Sequence, residues 1–115
     1  MQYLLLIYGD ERAAAAMSPG ELEVSEKAWY DYDGWLRAQG WKLAGDALQP
    51  TSTATTVREQ GGAVLTTDGP FAETKEQLGG YYLVDCEHLD QAIEAASRMP
   101  IMGRGSVEIR PVREM

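Results

Sequence analysis

The chain has 115 residues, 10 Lys+Arg against 18 Asp+Glu for a formal net charge of −8, one His and one Cys. This length suits one domain, 1–115, and lets folding bury enough surface that no metal or disulfide staple is needed. The acidic balance argues against nucleic acid as a partner, and a lone Cys86 with a lone His88 excludes an internal disulfide or a Cys/His zinc site, so no cofactor is expected.

Tyr3–Tyr8 is a continuous apolar run closed by Gly9-Asp10, which predicts a strand covered on both faces. The run is far below the ~18–20 residues that span a bilayer, and no positively charged leader precedes it. The expectation is a cytoplasmic protein with no membrane partner. Ala13–Ala16 carries no amphipathic pattern and reads as a loop or short turn. Ser18-Pro19-Gly20-Glu21 is a helix start: an N-cap Ser, Pro at the first helical position, Glu three residues after the cap. Leu22, Ser25, Trp29, Tyr32 and Leu36 then recur at helical spacing, and Gly40 stops the helix, roughly 19 to 39.

Trp41–Leu48 is the second strand, ended by Gln49-Pro50. Thr53–Arg58 and Ala63–Thr67 flank Glu59-Gln60-Gly61-Gly62 as the arms of a hairpin. Asp68-Gly69-Pro70 breaks the chain, Gly80–Cys86 forms a strand with apolar groups at both parities, and Leu89–Met99 repeats at helical spacing up to Pro100. Ser106–Val112 is the last strand, with Val107 and Ile109 inward and Glu108 and Arg110 outward. The order β-α-β, hairpin, β-α-β is the split βαβ plan of ferredoxin-like α+β domains with an inserted hairpin. Two helices cover only one face of such a sheet. Leu4, Leu6, Tyr82 and Val84 stand at the opposite parity from Tyr3, Leu5, Tyr81 and Leu83, which predicts a homodimer closing two sheets face to face.

The most informative stretch runs from Thr67 to Leu83. Asp68-Gly69-Pro70-Phe71 predicts a locked turn: Pro70 fixes φ, Gly69 takes a conformation other residues resist, Asp68 accepts backbone N–H groups, and Phe71 packs. Gly79-Gly80 would let backbone or ligand approach closely beside the charges of Glu73, Lys75 and Glu76.

The Asp68-Gly69-Pro70-Phe71 tetrad, with Glu73-Thr74-Lys75-Glu76 and Gly79-Gly80 after it, resembles the DGPF group of the YCII-related (YciI-like) family. The resemblance extends over nearly the whole chain, through the opening strand Tyr3–Gly9, Leu48-Gln49-Pro50, Ala54-Thr55-Thr56-Val57 and Gly105–Pro111. It implies a dimeric α+β barrel of ferredoxin-like halves. It also implies, for some members, enzymes with a His–Asp pair in a cleft; the aligned positions here are Trp29 and Met99, neither of which moves a proton. Members of the DGPF group stand beside extracytoplasmic-function sigma factors, so the resemblance implies a sigma-factor partner as a second role.

From the residues themselves, Trp29, Lys75, Tyr81 and Arg110 are the candidates for binding a small anionic or aromatic ligand, and Asp68, Glu73 and Glu76 are the candidate acid–base groups. Trp29, Tyr32 and Trp35 share a helix stripe and read as core packing, with Asp31 and Asp33 solvated on either side. Cys86 reads as a small buried hydrophobe and His88 as a surface residue at a helix start. Three functions follow: a pocket protein without the His–Asp pair, a protein-interaction module, or a small enzyme using carboxylates near the tetrad.

Overall fold

A computed structural model describes all 115 residues. β1 (Gln2–Gly9) leads through a five-residue helix α1 (Glu11–Ala15) into the long helix α2 (Pro19–Ala38) and then β2 (Lys42–Ala47). After a short 3₁₀ turn at Thr51–Thr53, β3 (Thr55–Gln60) and β4 (Ala63–Asp68) form the inserted hairpin. β5 (Gln77–Asp85), α3 (Leu89–Ser97) and β6 (Gly105–Pro111) complete the chain. The main sheet has the order β2-β5-β1-β6, antiparallel throughout, which is the ferredoxin-like arrangement the element order predicts.

Local signals explain most of the boundaries. Ser18 accepts the Glu21 N–H at 3.1 Å while the Glu21 carboxylate accepts the Ser18 N–H at 3.1 Å, so α2 starts with a reciprocal capping box behind Pro19. The alanine run expected to be irregular is helical instead. The side chain of Asp10 accepts from the N–H groups of Arg12 and Ala13, and this cap supplies what the run lacks in amphipathic pattern.

α2 and α3 lie on one face of the sheet. Tyr3, Leu5 and Val84 from the strands meet Tyr32 and Leu36 from α2, Ala92 and Ala95 from α3, and Met99 and Cys86 in one core. The buried Tyr32 hydroxyl donates to the Ala95 carbonyl at 2.6 Å, tying the two helices together. Only 11 of 115 residues are buried, because the opposite sheet face carries no layer and the hairpin carries no core. Leu4, Leu6 and Leu83 share that open face by strand parity and remain half-buried, whereas Tyr82 and Val84, grouped with Leu4 and Leu6 by number, fall on the helix-covered face because β5 meets Leu5 at Tyr82 and Tyr3 at Val84.

The hairpin pairs only with itself and stands away from the main sheet. The radius of gyration, 16.1 Å, exceeds the ~13 Å expected of a compact chain of this size. At its base, Gly69 (φ +99°) gives its N–H to the Ala54 carbonyl at 2.7 Å and accepts from the Thr56 hydroxyl at 2.8 Å. These bonds, rather than the Asp68 carboxylate, hold the turn. Phe71 does not pack: it is 77% exposed, because residues 69–76 run outside both the hairpin and β5, and only its carbonyl is engaged, by Arg58 Nη2 at 2.7 Å.

Candidate functional site

A cavity of about 490 Å³ opens between α2, α1 and the helix-covered face of the sheet. α2 contributes Leu22, Ser25, Trp29 and Asp33, which follow one another by three, four and four residues and so share one helix face. β1 and β5 contribute Ile7, Gly80 and Tyr82, and β2 contributes Lys42 and Gly45. Ile101 and Arg104, between α3 and β6, close the far side.

Two irregularities in the strands shape this wall. Lys42 pairs with Val84 and Ala44 with Leu83, so Leu43 is an extra residue on β2. In a regular strand positions 42 and 45 face opposite ways; the bulge puts both on the helix side. Lys42 thereby stands in the cavity. A second bulge, at Gly79 opposite Ile7/Tyr8, admits both glycines of the pair to the lining. A Cβ on Gly45 would come within 2.6 Å of the Tyr82 ring, so the ring's place depends on that glycine.

Asp33 is the hub of the inner end. Its Oδ1 accepts from Lys42 Nζ at 2.7 Å and from the Tyr82 hydroxyl at 3.1 Å, and its Oδ2 accepts from Arg37 Nε at 2.6 Å. Burial works to raise the Asp33 pKa, but the hydrogen bonds from Lys42, Arg37 and Tyr82, with the Lys42 charge, outweigh it and hold the group at about 2. A carboxylate that acidic, with three donors on it, is a poor proton acceptor near neutrality and a good anchor for Lys42 and Tyr82. Burial, followed by the Asp33 charge, pushes the Tyr82 phenol up to about 12, so it stays a donor. The Lys42 ammonium sits 5.4 Å from the Tyr82 ring centroid, and Trp29, Tyr32 and Tyr82 meet in edge-to-face contacts with centroids 5.6–5.8 Å apart.

Of the residues singled out from sequence, Trp29, Gly79 and Gly80 line the cavity; Tyr81 borders it, but it pairs with Leu6 and so turns its ring to the open face of the sheet, where its hydroxyl donates to Asp46 at 2.8 Å. Lys75, Asp68 and Glu73 are exposed on the segment around the tetrad, and Glu76 beside them accepts the Ser106 hydroxyl at 2.9 Å; none lines the cavity. Arg110 is outside it for a reason of parity: it pairs with Leu4 on the open face, where it binds Glu108 at 3.1 Å. His88 is exposed at the N-cap of α3 and also lies apart. Cys86 is buried, and burial raises its thiol pKa, the opposite of what a nucleophile needs. Asp33, expected in solvent, and Lys42 were missed. The 3-4-4 spacing from Leu22 to Asp33 could have found the first; nothing in a single sequence announces the bulge that places the second.

The profile of the YCII-related domain matches residues 1–115. The chain is 40% identical to the uncharacterized protein R00369 of Rhizobium meliloti (strain 1021), over 97% of this chain and 92% of that protein. Among solved structures it is similar to the 5-chloro-2-hydroxyhydroquinone dehydrochlorinase TftG of Burkholderia phenoliruptrix AC1100, in complex with 2,5-dihydroxybenzoquinone. That likeness has a TM-score of 0.52 at 13% identity and covers 100% of this chain and 96% of the other, so it bears on the fold.

Proposed function

The chain belongs to the YCII-related domain family, and from that premise we propose that it is a small-molecule-binding protein whose ligand, anionic or aromatic, occupies the cavity beneath α2. The observation that carries this reading is the convergence of Trp29, Tyr82 and the Asp33–Lys42 pair on one cavity of about 490 Å³. That volume lies in the range of small-molecule sites, and an apolar wall with a few fixed polar groups is their usual composition. A dehydrochlorinase of similar fold, solved with a hydroxylated quinone, lends support. The reading is binding rather than acid–base catalysis, because the lining contains no His and its innermost carboxylate is already held by three donors. A panel of small aromatic solutes titrated into labelled protein tests it. Ligands should move the indole N–H resonance of Trp29, identified by Trp29→Phe. Shifts confined to residues away from the cavity would overturn the reading.

The working form is a homodimer closed over the open face of Leu4, Leu6 and Leu83, since half-buried leucines on an uncovered sheet need a lid. Light scattering at micromolar concentration should give twice the 12.7 kDa chain mass; a monomer would refute it. A second reading, a docking module for a protein such as a sigma factor, is favoured by the hairpin, where Val57 and Val64 are exposed on one shared face. Replacing the hairpin by a short turn should then abolish partner binding and leave the Trp29 response intact.

A further inference from the structure

The short helix α1 hangs on one residue. Within residues 10–17 the hydrogen bonds are local: Asp10 caps the helix through the N–H groups of Arg12 and Ala13, and the backbone bonds run from Ala14 to Asp10, Ala16 to Arg12 and Met17 to Ala14. The bonds that leave the segment all start or end at Glu11. Its N–H donates to Gln77 Oε1 at 3.0 Å, and its two carboxylate oxygens accept the Thr51 N–H and the Thr51 hydroxyl, each at 2.8 Å. No ion pair adds to them, and α1 contains no buried residue. Arg12–Ala16 are exposed; Glu11 at the start of the helix and Met17 just past its end are half-buried.

This lightly held segment nevertheless forms one side of the cavity. Ala13, Ala14 and Met17 line it together with Glu11, at the end where β1 and β2 stop and β5 begins. A helix of five residues has no stability of its own in water, so its bonds to the rest of the chain decide where it sits. Segments with few apolar contacts open locally at far lower cost than a core does.

Resting on the small-molecule reading above, we propose that α1 is a lid on the cavity, held shut by a clasp between the Glu11 carboxylate and Thr51, and that ligand passes when the clasp opens. The Asp10 cap belongs to the lid and moves with it, so α1 stays helical as it swings between Gly9 and Ser18. Hydrogen bonds to a carboxylate are about twice as strong as neutral ones, which suits a single point of closure. The clasp forms with or without ligand and favours the closed lid equally in both states. It therefore sets how fast ligand exchanges and has little effect on how tightly ligand binds.

Two readouts test the lid. Line shapes of the Trp29 indole N–H during titration with 2-naphthol give association and dissociation rates. Acrylamide quenching of the Trp29 fluorescence, taken as the difference from Trp29→Phe, reports access without any ligand. Glu11→Ala should raise both rates at least tenfold, keep the Kd within threefold of wild type and at least double the quenching constant. Thr51→Val, which loses the hydroxyl and keeps the N–H, should fall between Glu11→Ala and wild type. Arg12→Ala, on the same helix but outside the clasp, should match wild type. If Glu11→Ala leaves rates and quenching unchanged, α1 is a fixed wall and the proposal is wrong. A weaker Kd with an unchanged association rate would make Glu11 a ligand contact rather than a clasp, and would also overturn it. If neither 2-naphthol nor the wider aromatic panel binds while quenching rises in Glu11→Ala, the lid stands and the small-molecule reading falls.

Discussion

Asp33 of α2 and Lys42 of β2 form a 2.7 Å ion pair across the connection between the two elements, with the Lys42 side chain only 13% exposed. The pair makes the protein's stability depend on acid in a defined direction. Asp33 titrates at about 2 in the folded chain, below its ordinary 3.8, so its contribution is complete above the normal carboxylate range and fades as the pH falls toward 2. Asp33→Asn should therefore cost about 2 kcal/mol at pH 7. The gap from wild type should close near pH 2. Urea denaturation at both pH values checks this, and a gap of equal size at both would show that packing, not charge, is lost.

Tyr82 sets the opposite limit. Its phenol is raised to about 12 by burial and by the Asp33 charge, and burial also raises the buried Tyr32. The folded chain holds these protons after the unfolded chain has released them, so stability is full below pH 10 and declines as the pH rises beyond it. Tyr82→Phe should shed part of this alkaline loss. At neutral pH it should cost about 1 kcal/mol for the missing hydrogen bond. It should also raise the Asp33 pKa, which a ¹³C carboxyl titration reads directly.

Gly45→Ala separates the cavity from the core. Its methyl would meet the Tyr82 ring at 2.6 Å and displace it from Asp33. The expected result is loss of Trp29-linked ligand response and a raised Asp33 pKa, with a stability cost of roughly 1–3 kcal/mol. An unchanged Asp33 titration would mean that the ring stays in place.

Leu36→Ala and Phe71→Ala should behave as opposites. Leu36 is fully buried, and its truncation should cost about 2–5 kcal/mol. Phe71 is 77% exposed, and its truncation should stay within about 0.5 kcal/mol of wild type. Thermal or urea melts of the two variants, measured side by side, decide it.

These contrasts mark what the sequence reveals. Signals that act within a few residues were legible: Ser18-Pro19-Gly20-Glu21 starts α2, Gly61-Gly62 turns the hairpin, and the alternation of Leu4, Leu5 and Leu6 places a sheet with an uncovered face. From these the ferredoxin-like order follows. The cavity was less legible because it depends on where strands slip. The bulge at Leu43 redirects Lys42, and antiparallel pairing with β1 turns Arg110 to the other face. Charge drew attention to Lys75 and Arg110, yet register decides which cations share a space. Asp33 reads as solvated because it adjoins the inward Tyr32, although at i+4 from Trp29 it shares that residue's face of α2.

The hairpin divides the chain into two cooperative parts. Its ladder, Thr55–Gln60 against Ala63–Asp68, shares no strand pairing with the main sheet, so breaking it exposes nothing of the core around Leu5 and Leu36. Amide protons on β3 and β4 should thus exchange with deuterium through a local opening whose free energy is indifferent to denaturant chosen to probe the core, whereas those of β1 and β5 wait for global unfolding. Gly61-Gly62 is correspondingly the place where an added segment or a protease cut is tolerated without loss of the sheet, which makes the hairpin a natural attachment point on a chain whose remaining elements are mutually dependent.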